Sequence, residues 1–399
     1  MMVNEVCSSV FDRLENENIG YIEGIERPLL KISNRYQGLW LEHLYDAILY
    51  AKMDGSKLYL AENAVYEFIA HQRKSGQLPM AMTVTGVGYT HIQECVSFGK
   101  LVLMIYEMNG DRDFLATAYD ALVKWVAWLR RSRMTTGRGL IEQFVGYDTG
   151  HDNSLRNVGM GCQGRNQKTK EISYDADVLP PDDGVTPILA VDMNCNFYGN
   201  HMALARMADI LGYDSAEEWR AQAKTVKKRL FEECFSEEDC FFYDVDKNGD
   251  QRKCLCSTIF HLFIEEVLDR EEDKQLIDEI YRRHISNPRE FATPYPFPPI
   301  AISDPAWQKV KEQNCWGYYT QGNIVIRTTL WMEQYGFEEL FDKVCRGWVD
   351  AWTVHYDEVK MGQELDPITG VPSGCSQWYS SGMVFYLYAA RRLGYCKRG

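Results

Sequence analysis

Amphipathic helices in this chain come in pairs, and the connections between them alternate between short and long. LWLEHLYDAILYAK runs directly into MDGSKLYLAENAVYEFIAHQRK. QECVSFGKLVLMIYEM passes through NGDRD into FLATAYDALVKWVAWLRR, and NFYGNHMALARMADI through LGYDS into AEEWRAQAKTVKKRLFEEC. STIFHLFIEEVL with DKQLIDEIYRRH, and GNIVIRTTLWMEQ with EELFDKVCRGWVDAW, make two further pairs. SQWYSSGMVFYLYAARRL lies near the C-terminal end, with residues 3–15 as its candidate partner. Apolar residues recur at three- and four-residue intervals in each segment, the period of a helix with one buried face. Gly or Asp marks the junctions, and Ser215 with Glu218 has capping-box spacing. Between pairs the connections are long, at about residues 72–91, 134–195, 235–252, 285–320 and 353–375.

Antiparallel helices send every short turn to one end of the molecule and every long connection to the other. The closed form of such a chain is an all-α (α/α)6 toroid barrel of six helical hairpins, a single domain over residues 1–399. It has a plain floor and an elaborated rim, with a few short strands in the rim loops. An open α-solenoid is the competing form, but its repeats are more alike and its loops shorter. CFFYDVDKNGDQRKC reads as a hairpin turning at Asn248-Gly249. Its Asp244, Asp246, Asn248 and Asp250 have calcium-loop spacing, but the twelfth position, where an acid is required, is Leu255.

A formal net charge of −14 argues against nucleic-acid binding, which needs a basic surface. No apolar run approaches the ~20 residues needed to span a bilayer. The opening MMVNEVCSSVFDRLENENIG has no basic stretch followed by an apolar one, so no signal peptide is visible and a cytoplasmic location is expected. Twelve scattered cysteines in so long a chain read as reduced thiols, and Cys254 and Cys256 of CLC have no second half to complete a zinc site. Neither a cofactor nor a metal is implied. Aromatic residues make up 13% of the chain, a composition that serves both helical cores and sugar stacking. The expected partner is a small carbohydrate substrate.

GYDTGHDNSLRN, residues 146–157, has almost nothing to bury. It lies in the second long connection, and Glu364 of MGQELDPITGVPSG lies in the fifth, so hairpin parity assigns both to one rim. Two carboxyl groups converging there suit hydrolysis of a glycosidic bond. One, protonated, donates to the leaving oxygen; the other, ionised, activates water on the opposite face, at a separation of roughly 6.5–9.5 Å for inversion. Parity does not select the pair, because the rim also carries Asp148, Asp175, Asp177, Asp182, Asp183, Asp304 and Asp366.

Resemblance selects it. TGHDNSLR resembles the SG-x-DNSPR motif of trehalase-like (α/α)6-barrel glycosidases, the group that includes glycoside hydrolase families 63 and 37. VDMNCNFYGNHMALARMADILG is similar to that group's vDlNa helix, and FFYDVDKNGD to its fyD-d hairpin. QNCWGYYTQGNIVIRTTLWMEQYG occupies the place of YWRGPVW and its following helix, and QELDPITGVPSGCSQWYSSGMVF resembles the E-Y-P-TG segment. The resemblance runs from about residue 30 to the end. It implies that Asp152 is the general acid and Glu364 the general base of an inverting glycosidase. Its substrate class is a small, α-linked, gluco- or manno-configured disaccharide or glycosyl conjugate. Departures concern the sugar site. Leu155 replaces the proline after DNS, Trp316 stands at the arginine of WRG, and the WD motif has become WLEHLYD, leaving Glu42 and Asp46 as candidates for its acid.

The same resemblance implies that Asn153 and Arg156 orient the acid or contact sugar hydroxyls. Trp316 and Gln321 are candidate subsite residues. Trp40, Asp46, His151 and Trp378 complete the substrate-binding set; for Trp40 and Trp378 the alternative is packing into the wall, and for His151 a structural role. Tyr147 and Asp148 read as loop architecture. The segment FATPYPFPPIAISDP reads as a packed lid or wall, with Tyr295 and Phe297 at the mouth. The competing activity on such a barrel is a sugar epimerase or isomerase using histidine acid/base pairs, and His43, His91, His151, His201, His261 and His355 are its possible residues, although no tandem histidine motif occurs. A non-catalytic barrel that binds sugar or protein is the third reading.

Overall fold

The computed structural model describes residues 2–33, 35–151, 154–161, 175–309 and 316–396. Within these the helices are α1 (Val3–Arg13), α2 (Leu44–Met53), α3 (Leu58–Ala70), α4 (Phe98–Asn109), α5 (Arg112–Ser132), α6 (Val191–Leu211) and α7 (Ala216–Cys234). They continue as α8 (His261–Ile264), α9 (Lys274–Ile280), α10 (Pro305–Lys309), α11 (Gly322–Arg327), α12 (Glu338–Val359) and α13 (Ser380–Arg392). The twelve helices expected from periodicity are all present, and α10 is an addition inside the fourth long connection. Strands among the described residues are two or three residues long.

Helix ends follow local chemistry. Asp111 caps α5 by accepting from the amides of Asp113 and Phe114. Gly110 and Gly212 end α4 and α6 in the left-handed region, at φ 65° and 80°. The capping box expected at Ser215 does not form. Its hydroxyl bonds to the Tyr119 hydroxyl at 2.7 Å instead, and its backbone is already helical.

The chain gathers into two compact units. The first comprises residues 1–64, 82–86 and 273–399. Its central helix is α13, on which α1, α2, α11 and α12 all pack, and the stretch Ser380–Leu387 is buried throughout. The proline-rich segment is packed rather than floating: Phe291, Phe297, Ile300 and Ala301 are fully buried. The second unit comprises residues 65–81 and 87–272, and α6 is its centre, touched by α4, α5, α7 and α8. Both central helices are buried on nearly every side, so neither has a strong polar face. The hairpin expected at Asn248-Gly249 is present: Val245 bridges Gln251 across the turn, and Gly249 adopts φ 93°.

Candidate active site

In the first unit the base candidate is built into backbone. Glu364 is 2% exposed and lies in a two-residue strand, Glu364–Leu365, paired antiparallel with Thr320–Gln321, so that Glu364 faces Gln321. The segment reaches that position between the starts of α11 and α13, where there is no room for side chains. A Cβ on Gly382 would lie 2.9 Å from the Gly362 carbonyl, and one on Gly322 would lie 3.0 Å from the Gly382 amide. The Gly322 amide donates to Gln363 at 2.8 Å, and Gln363 donates to Cys375 at 3.1 Å. Beyond Glu364 the chain turns at Asp366, which accepts from the amides of Ile368 and Thr369 and from the Tyr318 hydroxyl. These bonds outweigh burial and hold the Asp366 carboxyl below its usual range. Burial raises the Cys375 thiol, and the neighbouring Glu364 charge pushes it the same way.

Beside this segment lies a buried polar cluster at the start of α2. Glu42 accepts from Asn323 Nδ2 at 3.3 Å and from Arg327 Nη2 at 3.4 Å, both from α11. The His43 ring lies between two acids, Glu42 at 3.3 Å and Asp46 at 3.3 Å. Asp46 also accepts from the hydroxyls of Ser380 at 2.6 Å and Ser381 at 2.8 Å. Burial pushes the His43 pKa down, but Glu42 and Asp46 overcome it and raise it to about 9. The Asn323 Oδ1 and Arg327 Nε atoms are buried without a protein partner.

In the second unit the loop of the acid candidate is held at both flanks. On one side Gly146–Thr149 forms a 3-10 turn closed by Gly150 at φ 73°. Asp148, wholly buried, pairs with Arg133 at 2.6 Å and accepts from the amides of Ile92, Phe144 and Val145. On the other side Arg156 is buried and donates to both oxygens of Asp192, at 2.9 and 3.1 Å, with Asp244 at 3.3 Å. Burial works against the Arg156 charge, but Asp192 and Asp244 outweigh it. Asp192 itself is raised to about 6, mainly by burial and partly relieved by Arg156. Asn157 ties the flanks together, donating to the carbonyls of Gly146 and His151 at 3.4 Å. Asp152 and Asn153 lie outside the described residues.

The mannosylglycerate hydrolase MGH1-like glycoside hydrolase domain matches residues 56–374. The chain belongs to this family. That places it among the glycoside hydrolases. Its fold is similar to that of a family 63 mannosylglycerate hydrolase from Thermus thermophilus, solved with Tris and D-glycerate. The TM-score is 0.71 at 14% identity, over 97% of this chain and 99% of that one. A neutral trehalase from Saccharomyces cerevisiae gives a TM-score of 0.66 at 13% identity, over 94% of this chain and 76% of that one. These likenesses establish the all-α, (α/α)6 glycoside-hydrolase fold expected from the helix pairs. An uncharacterized protein of Borreliella burgdorferi is 23% identical over 137 residues, 34% of this chain. The match spans 28% of that relative's length.

Within this family member the other anticipated residues fall into distinct surroundings. Gln321 and Trp316 are buried, and Gln321 donates to the Tyr319 carbonyl at 3.2 Å. Trp40 is half-buried and is not yet helical: it ends the strand Gly38–Trp40, with the Tyr36 ring edge-on at 5.8 Å. Trp378 adopts φ 61°, carries the Arg13 guanidinium 4.9 Å above its ring, and meets Tyr356 edge-on. His151 is buried 4.0 Å from Asp192. Asp46 and Arg156 have their charges engaged by protein groups. His201, a possible acid/base histidine of the competing activity, is lowered to about 4 by burial and lies 2.8 Å from Arg130. Sequence reasoning missed Asn323, Arg327 and the role of His43. The visible signal was polar residues four apart in an otherwise apolar helix, GNIVIR.

No helix among the described residues is long and apolar enough to cross a membrane. All ten described cysteines are free thiols.

Proposed function

We propose that this chain is an inverting glycosidase, a single catalytic domain over residues 1–399 acting in the cytoplasm on a small α-linked glycoside of gluco or manno configuration. Asp152 is its general acid and Glu364 its general base. The observation that carries the reading is the setting of Glu364: a buried carboxylate fixed by strand pairing and glycine contacts, inside the segment that resembles the family's base motif. The assignment of Asp152 rests on the resemblance of TGHDNSLR alone. Structural likeness to a mannosylglycerate hydrolase solved with D-glycerate supports a glycosyl-glycerate as the first substrate to test.

The sugar is held by Glu42, whose carboxylate is kept in place by Asn323 and Arg327 and is suited to accept from sugar hydroxyls. His151, Asn153, Trp40, Trp316, Gln321 and Trp378 complete the contacts. Asp46 and Arg156 act as supports. For the chemistry, the Asp152 carboxyl must stay protonated near neutral pH while Glu364 stays ionised.

The test is hydrolysis of α-mannosylglycerate, α-glucosylglycerate and trehalose, with product anomers followed by proton NMR. Inversion predicts that the sugar released from either glycerate conjugate appears first as its β-anomer, and that trehalose gives one β- and one α-glucose. Asp152→Asn and Glu364→Gln should each lower kcat by about three orders of magnitude or more with the helical circular dichroism unchanged. Near-wild-type turnover by either variant would remove that residue from its role.

A further inference from the structure

We propose that His43 is a positioning residue: a doubly protonated imidazole that ties the start of α2 to the start of α13 and so fixes both the Glu42 carboxylate and the segment presenting Glu364. The functional half of this inference rests on the glycosidase reading above.

The two carboxylates flanking the ring favour the charged form. Nδ1 lies 3.0 Å from the Ser381 hydroxyl and 3.3 Å from Asp46; Nε2 lies 2.9 Å from the Tyr379 hydroxyl and 3.3 Å from the Glu42 carboxylate. A neutral imidazole has one donor and one acceptor, whereas an ionised carboxylate only accepts. Either neutral tautomer would therefore leave a ring lone pair 3.3 Å from a carboxylate oxygen, with only the Ser381 or Tyr379 hydroxyl to donate to it. The imidazolium donates on both sides. Around it the facing groups are Glu42 and Asp46 from its own segment and Tyr379, Ser380 and Ser381 from the start of α13. Arg327 and Asn323 of α11 act through Glu42, and the phenol of Tyr36 lies near Tyr379. Two anions and two cations thus share a buried volume in which removing one charge strands another.

The link to the base candidate is short. The amides of Trp378 and Tyr379 both donate to the Met361 carbonyl, at 2.8 and 3.3 Å. Gly362 and Gln363 follow, with Gln363 accepting from Gly322, and Glu364 comes next. A ring that holds Tyr379 therefore also holds the backbone three residues before Glu364.

His43→Gln keeps much of the side-chain length and one donor but no charge; Tyr379→Phe removes one of the ring's partners. In the wild type, histidine 15N spectra should show both His43 nitrogens protonated at pH 7.5, titrating near pH 9. His43→Gln should lose amide exchange protection across residues 361–379, and its kcat/KM on α-mannosylglycerate should fall roughly ten- to a hundred-fold. The wild-type profile should carry a descending limb near pH 9 that Tyr379→Phe retains at a shifted position and His43→Gln lacks. A merely structural histidine would not shape that limb. A neutral ring at pH 7.5, or unchanged protection together with an unchanged profile in His43→Gln, overturns the proposal. Should the wild type hydrolyse none of the glycosides, the glycosidase reading fails, while the nitrogen spectra and amide exchange still judge the brace. If His43→Gln does not fold, Asp46→Asn with the same spectra takes its place, and a His43 pKa unmoved by that change counts against the proposal.

Discussion

Asp148 and Asp152 carry the same side chain four positions apart, and the surroundings of Asp148 decide what that residue can do. Asp148 has no exposed surface, and its carboxylate is occupied by Arg133 and three backbone amides. Nothing is left for a substrate. Removing that carboxylate strands a wholly buried guanidinium, so Asp148→Ala should cost about 3–5 kcal/mol of folding stability, measured by urea unfolding. A loss under 1 kcal/mol would mean that the pair carries little of the loop's order. The loop's composition offers almost nothing to bury, and the reading of Asp148 as loop architecture agrees with its burial. What no local pattern could supply was the identity of the partner, because residues 133 and 148 meet only through tertiary packing. The same holds for Arg156, whose motif position was legible while its engagement by Asp192 and Asp244 was not.

At the scale of elements, the presentation of Glu364 depends on three glycines that let backbone meet backbone. A Cβ on Gly362 would lie 2.9 Å from the Cys375 carbonyl and 3.0 Å from the Trp352 ring, and neither the backbone nor a buried indole yields easily. Gly362→Ala and Gly382→Ala should therefore displace residues 361–365 and lower kcat by about ten- to a hundred-fold while leaving helix content intact, as read by kinetics and circular dichroism. Unchanged kcat in both would detach the glycine contacts from catalysis. The helices themselves were legible because a 3.6-residue period survives wherever one face meets a core. Their lengths were less so. GNIVIRTTLWMEQ reads as one long helix, but α11 ends at Arg327. The hydroxyls of Thr328 and Thr329 then bond back to the carbonyls three residues earlier, at 2.5 and 2.7 Å, tightening the chain into a 3-10 turn. STIFHLFIEEVL is cut short where Glu265 turns its carboxylate to Ser97 and Glu266 enters the left-handed region at φ 56°.

For the whole molecule, buried ionisable groups set a pH window. Glu94 is raised to about 7, chiefly by burial, although Phe98, Asn200 and Trp125 donate to it; burial likewise lifts Glu265 to about 6. Both bind protons more tightly in the folded chain than when unfolded. Their contribution to stability is complete below about pH 4.5 and is lost as pH rises through 6 to 7. His43 adds a contribution that is complete below pH 6.5 and lost as pH rises through about 9. Asp183 and Asp366, held low by amide donors despite burial, act oppositely and weaken the fold as pH falls below about 4. The melting temperature should therefore peak between about pH 4 and 5 and fall as pH rises, first as the Glu94 and Glu265 contributions are lost up to about pH 7 and then as that of His43 is lost up to about pH 9. Glu94→Gln carries no titrating group, so its melting temperature should vary less between pH 5 and 8 than that of the wild type. The differential amounts to roughly 3 kcal/mol if the full shift is expressed. His43→Gln should lack the fall between about pH 7 and 9 while keeping the one below pH 7. Parallel curves for the wild type and Glu94→Gln would place the neutral-range titration elsewhere, with Asp192 at about 6 the next group to replace.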